Sequence, residues 1–195
     1  MFNINSNSMK CFKNIYLLLI ACPMIILGQT ATLDVESSNL KWTGKKITNS
    51  SHYGSLKFKS GEVNFSDGII ESGKFIVDMT TINVEDIEGR GKSRLEGHLR
   101  GDDFFSVEDY KEAALVINSS KKNGDSMKVM GTLTIKGLNS DVEFDMKKSG
   151  DGWTADLTFD RSKHNVRFRS GSFFENLGDN LILDDIELNA KLSFN

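Results

Sequence analysis

The stretch LKFKSGEVNFSDGIIESGKFIVDM, residues 56–79, decides the fold. Leu56 and Phe58, then Val63 and Phe65, alternate with polar neighbours on either side of Ser60-Gly61, and Phe75, Val77 and Met79 repeat the same period of two. In a β-strand successive side chains point to opposite faces, so this rhythm describes strands with one apolar face. Asp67-Gly68 stands between the runs. Both residues tolerate positive φ, which a tight hairpin requires, so the two strands pair antiparallel.

The pattern extends outward from there. Leu133 and Ile135, then Val142, Phe144 and Met146, then Ala155, Leu157 and Phe159 keep the alternation. Asn123-Gly124, Lys136-Gly137-Leu138-Asn139 and Gly150-Asp151-Gly152 separate them with turn chemistry. A last strand places Ile182, Ile186, Leu188, Ala190, Leu192 and Phe194 on one side. Connections this short permit only antiparallel pairing. Nine or ten such strands close as a barrel or pack as a sandwich, and residues 29–195 read as one domain. Inward Phe75, Val77, Leu133, Ile135 and Phe144 suit either a packed core or the wall of a ligand cavity, because both demand large apolar side chains.

Residues 86–111 break the rhythm. Ser93-x-x-Glu96 reads as a capping box, Leu95 and Leu99 stand one helical turn apart, and Gly101 can end the helix in a left-handed conformation. Ser106-x-x-Asp109 suggests a further turn. Phe104-Phe105 between them is too apolar for a solvated loop, so the insert is expected to cover one end of the barrel, with Leu99, Phe104 and Phe105 against a ligand and His98 at its mouth. The run Arg161 to Arg169 alternates like a strand with Arg161, Lys163, Asn165, Arg167 and Arg169 on one face. That face is either solvated, or it places Arg167 and Arg169 to grip an anionic head group.

The N-terminus differs in kind. Lys10 and Lys13 precede an apolar run from Ile15 to Leu27, and no acidic residue occurs before Asp34. This is the pattern of a secretory signal peptide, residues 1–28, cut after Gly28, and the run is short for a membrane span. Leu19-Ile20-Ala21-Cys22 offers the alternative of a lipoprotein. Both cysteines, Cys11 and Cys22, lie in this leader, so the exported chain is expected to carry neither disulfide nor cysteine-bound metal. Its removal also takes two lysines and no acid, moving the net charge from -3 to -5. An acidic balance argues against a nucleic-acid binder.

Catalytic signals are lacking. Asp102-Asp103 and Asp184-Asp185 are neighbours whose side chains would diverge on a strand, although Asp184 shares the parity of Ile182 and Ile186 and therefore needs a rim position or a buried partner. Gly91-Lys92-Ser93 lacks the leading glycine of a phosphate-binding loop, and His52, His98 and His164 have no metal-ligand spacing.

Five segments in order resemble the YceI-like family: Val77-Asp78-Met79-Thr80-Thr81-Ile82-Asn83; Gly97 to Phe105 with Val107 to Tyr110; Gly131 to Gly137; Phe159-Asp160-Arg161-Ser162; and Gly178-Asp179 followed by Ile182 to Leu188. The chain departs from the family pattern at Gly101-Asp102, Lys111 and His164-Asn165. The resemblance implies a lipocalin-like antiparallel β-barrel in the periplasm or outside the cell. It implies a bound polyisoprenoid, a quinone tail or a prenyl phosphate, held in the barrel interior; no enzyme is expected, and no metal or cofactor beyond such an isoprenoid lipid or quinone. Membrane contact would serve loading, and a homodimer is compatible with the sequence. A ligand-free structural barrel of the cell envelope, or a hydrolase using the same cavity, are the alternatives.

Overall fold

The computed structural model describes residues 28–195. Residues 1–27 of the expected leader, with Cys11 and Cys22, lie outside the described residues. Among the latter, nine strands and one α-helix occur: β1 (Gln29–Thr32), β2 (Asn39–Lys46), β3 (Ser51–Ser66), β4 (Ile69–Val84), α1 (Gly89–Arg100), β5 (Glu112–Asn123), β6 (Ser126–Ile135), β7 (Leu138–Ser149), β8 (Gly152–Asp160) and β9 (Ile182–Leu192). Eight of the strands pair in the ring order β3-β2-β9-β8-β7-β6-β5-β4, and pairing of β3 with β4 closes it. Every named strand pair is antiparallel, as the short connections require. The ninth strand, β1, lies along the half of β3 that β2 leaves free, pairing Gln29 with Phe65 and Thr32 with Glu62. Leu33 then bridges to Phe194 beyond β9.

Local chemistry explains the strands. Asp67 and Gly68 both have positive φ, 51° and 74°, and make the two-residue turn between β3 and β4. On β6 the residues Met127, Val129, Leu133 and Ile135 are buried and alternate with half-exposed ones. Gly54 is required where β2, β3 and β4 meet, because a Cβ there would lie 1.8 Å from the Asn83 carbonyl oxygen and 2.9 Å from Trp42 Cζ2. Aromatic pairs join segments that are distant in sequence: Phe65 stacks on Trp153 at 5.8 Å and Phe75 meets Phe194 at 6.4 Å. No helix among the described residues is long and apolar enough to cross a membrane.

Four local expectations are corrected. Ser60-Gly61 does not interrupt the chain; β3 runs through it with a bulge between Phe58 and Ser60. Helix α1 starts at Gly89 rather than behind Ser93, and Glu88 caps it without a side-chain hydrogen bond. Glu96 accepts instead from the Val84 N–H at 2.9 Å, tying the helix to the end of β4. Gly101 is extended, φ -67° and ψ 168°, since the chain turns outward into the Phe104-Phe105 segment instead of closing a left-handed cap. The run Arg161 to Arg169 is no strand: a 3-10 turn, Arg161–His164, is followed by left-handed Asn165 and an irregular strap up to β9. Arg161, with no exposed surface, is drawn inward, and that removes the chain from the sheet.

Candidate functional site

The barrel encloses a cavity of about 300 Å3, at the lower end of the ~300–1,000 Å3 range of small-molecule sites. Each barrel strand contributes apolar side chains to its wall: Leu40 and Trp42 from β2, Phe58 from β3, Phe75 and Val77 from β4, Leu115 from β5, Leu133 and Ile135 from β6, Phe144 from β7, Leu157 from β8 and Ile186 from β9. The alternation read from the sequence therefore brings inward Phe75, Val77, Leu133, Ile135 and Phe144 to one space. The polar residues of the wall collect at one end, where Lys45, Lys46, Ser50 and His52 of the β2–β3 hairpin meet His98 and Arg169.

That end is covered in part by α1, the loop after it and the strap of residues 165–181. Leu99 of α1 and Phe104 and Phe105 of the loop are buried and line the cavity. The His98 ring packs edge-on against Phe168 of the strap at 4.1 Å and against Phe104 at 5.5 Å. Its Nε2 atom is buried with no hydrogen-bond partner. Phe104 and Phe105 meet at 5.1 Å, and the Arg161 guanidinium lies 5.6 Å from the Phe104 ring centre.

The sequence gives Arg167 and Arg169 the same role; the structure separates them. Arg169 lines the cavity and stacks on Phe168 at 5.0 Å, whereas Arg167 lies outside it, exposed, over the ring of Phe173 at 4.8 Å. The two carbonyl-bound backbone N–H groups of Arg167 and Phe168 share Asp103 O, which pins the strap to the loop.

Four polar side chains hold this covered end together: Arg161, Asp184, Lys136 and His164. Arg161 donates to the carbonyls of Leu183, Val166 and Ile182 at 3.1–3.2 Å and lies 3.2 Å from Asp184 Oδ1. Burial lowers its pKa, opposed by the carboxylates of Asp184 and Asp160, and a guanidinium stays charged regardless. Asp184 Oδ2 accepts from the hydroxyls of Ser170 and Ser172 at 2.9 and 2.7 Å. The inward parity of Asp184 thus resolves into a buried partner. Lys136 Nζ donates to the carbonyls of Asp102, Phe104 and Asn165 at 3.0, 2.9 and 3.3 Å, clamping loop and strap to the β6–β7 turn. His164, fully buried, donates from Nδ1 to Leu138 O at 3.0 Å and pairs Nε2 with the Ser140 hydroxyl at 2.9 Å. On the rim, burial raises the pKa of Asp86, but the His52 imidazole at 2.7 Å and the Tyr53 N–H at 3.1 Å outweigh it and hold the carboxyl below its usual value.

Sequence reasoning missed Trp42, His52, Lys46 and Lys136. The run Leu40-x-Trp42-x-Gly44 carries the signal for Trp42, a period of two like that of the other strands. Nothing local distinguishes Lys136 from any turn lysine, because its acceptors belong to distant segments.

A YceI-like domain model matches residues 32–194, from the end of β1 to the bridge that follows β9. The chain belongs to the YceI-like family. It is 31% identical over 100 residues to a UPF0312 protein of Yersinia pestis and 33% identical over 100 residues to one of Serratia proteamaculans. In both cases the match covers 51% of this chain, and it spans about half, 50%, of the length of these curated relatives. Among solved structures, BcnA of Burkholderia cenocepacia superposes with a TM-score of 0.64 at 23% identity, covering 82% of this chain and 98% of that one. A polyisoprenoid binding domain from Saccharophagus degradans gives 0.55 at 16% identity, covering 83% and 95%. At such identities the likeness is one of fold, and the fold is the YceI-like closed antiparallel barrel.

Proposed function

We propose that this YceI-like protein is an exported, non-enzymatic carrier or sequestering protein for a long apolar molecule of isoprenoid type. Its hydrocarbon lies in the barrel, oriented with the polar end toward the half of the cavity that opens at Lys46, His52, His98 and Arg169. The cavity itself carries the reading: a walled space of about 300 Å3 whose lining is apolar except at one end. Burial at about 25 cal/mol per Å2 makes a few hundred Å2 of hydrocarbon worth several kcal/mol before ordering costs. That the structurally similar Saccharophagus degradans domain binds polyisoprenoids supports the class of ligand. The apolar leader in the sequence supports export to the periplasm. Catalysis has little to work with, since Asp184 is committed to Arg161 and two serines, and no group of His, Cys, Asp and Glu side chains among the described residues could hold a metal ion.

Protein purified from a bacterial periplasm should show, by native mass spectrometry, a bound mass that organic solvent extracts. The delipidated protein should take up a prenol in its place. Protein that carries no lipid and takes up no prenol would sink the proposal.

A further inference from the structure

Among the described residues, three buried side-chain polar atoms have no hydrogen-bond partner: Trp42 Nε1, His98 Nε2 and Asp184 Oδ1. Asp184 Oδ1 lies 3.2 Å from the Arg161 guanidinium, so charge attraction accounts for it. The other two have no such account, and both belong to side chains of the cavity wall. Trp42 is only 7% exposed. Its indole N–H is a donor and nothing else, and the great majority of buried donors are paired.

We infer that Trp42 is a specificity-determining residue whose Nε1–H donates to an oxygen atom of the bound molecule, while His98 Nε2, nearer the rim, is free to meet a second polar atom. The inference rests on the proposed carriage of an apolar chain and narrows it: the polar end is a neutral oxygen function, such as a carbonyl, ether or hydroxyl, drawn inside the barrel. Three observations lead there. First, Trp42 sits on β2 four residues before the rim residue Lys46, about 13 Å along the strand. Its direct neighbours across the ring are Gly54 and Leu188, and neither can balance a charge. An anion at that depth would be desolvated without a counter-ion; a neutral acceptor would not suffer that cost. Second, the indole is held in place: its Cζ2 would be 2.9 Å from a Cβ at position 54, so the ring occupies the space glycine leaves. Third, the His98 ring is fixed by its contacts with Phe168 and Phe104, and its Nδ1 lies 4.0 Å from Asp103 Oδ1, too far for a hydrogen bond. The imidazole is therefore not committed to that carboxylate.

A donor left unpaired by a hydrocarbon and satisfied by an oxygen discriminates between them, since the unmet group is a cost borne only with the wrong ligand. The test uses the delipidated full chain with two probes of one carbon skeleton, geranylgeraniol and its deoxy hydrocarbon. Affinities are read by calorimetric titration in every variant, and Trp153→Phe is added to the parent only, where it leaves Trp42 as the one tryptophan that reports by fluorescence. The alcohol should bind about tenfold more tightly, equivalent to ~1.4 kcal/mol, and should shift the Trp42 emission while the hydrocarbon does not. Trp42→Phe, which keeps an aromatic ring and deletes the N–H, should remove that gap by weakening the alcohol alone. Equal affinities in the parent, or equal weakening of both probes by Trp42→Phe, overturns the inference and leaves the carriage of an apolar chain standing. Binding of neither probe overturns both.

Discussion

Arg161 has no exposed surface, yet it carries a full charge beneath the strap. Three carbonyls and Asp184 surround it, so removing the side chain takes the donor from three carbonyls and the counter-charge from Asp184, while removing the carboxylate's charge leaves three donations intact. Arg161→Leu should therefore cost about 3–5 kcal/mol of stability, since it leaves Asp184 without its counter-charge. Asp184→Asn should cost less, about 1–3 kcal/mol. Urea unfolding followed by circular dichroism reads both, and equal losses would mean that the carbonyls contribute nothing. The sequence makes half of this arrangement legible. Alternation puts Asp184 on the inward side of β9 and so demands a partner. It cannot name that partner, because the arginine at position 161 looks like the first member of a charged strand face. Whether it turns inward depends on carbonyls from β9 and the strap, which only the folded chain assembles.

At the scale of elements, the covered end is a set of irregular segments tied to regular ones by single polar side chains. Lys136 alone joins the loop after α1, the strap and the β6–β7 turn. Burial lowers its pKa, against the raising effect of Asp102 and Asp103. Lys136→Met retains the stem and deletes the donors. It should lower stability by about 1–3 kcal/mol and speed exchange of a fluorescent lipid out of the barrel, as measured by stopped flow. A stability loss with unchanged exchange would mean that the covering segments do not govern entry. The 3-10 turn that follows β8 gives a pH dependence. Burial depresses the His164 pKa below its ordinary 6.5, overcoming the raising effect of the Leu138 and Ile135 backbone groups and of Asp160. As pH falls through about 6.5, the unfolded chain takes up a proton that the folded chain refuses. Stability then decreases with falling pH until the folded imidazole also titrates; above about 6.5 the group contributes nothing to the slope. His164→Gln should flatten the fall of the urea midpoint that sets in below about pH 6.5. An unchanged slope would assign that dependence to other groups. Strands and hairpins were readable here because period and turn chemistry are local. The start of α1 and the path of residues 161–181 were not, because Glu96, Lys136 and Asp103 act through backbone groups far along the chain.

For the whole molecule, the net charge of -3 says little about the rim, where the cations are unevenly committed. Lys45 is paired with Glu187, while Lys46 and Arg169 line the cavity and form no ion pair among the described residues. Both are half-buried and Arg167 stands outside the cavity, so among the described residues these three cations do not form a fully desolvated site for a diphosphate. Charge attraction to partly exposed groups is weak and screened by salt. A prenyl diphosphate and a prenol of equal chain length should therefore bind within about threefold of each other at ~0.15 M salt, where the Debye length is about 8 Å. At ~0.01 M salt it grows to about 30 Å, and a preference for the diphosphate should open. The two ligands share one tail, so their difference reads the head group together with the depth at which it sits. Lys46→Gln together with Arg169→Gln should remove the low-salt preference, and Arg167→Gln should leave most of it, since that side chain lies outside the cavity and over Phe173. Calorimetric titration at the two salt concentrations reads all of these. A large preference for the diphosphate that persists in salt would instead place its head between Lys46 and Arg169, shielded from water.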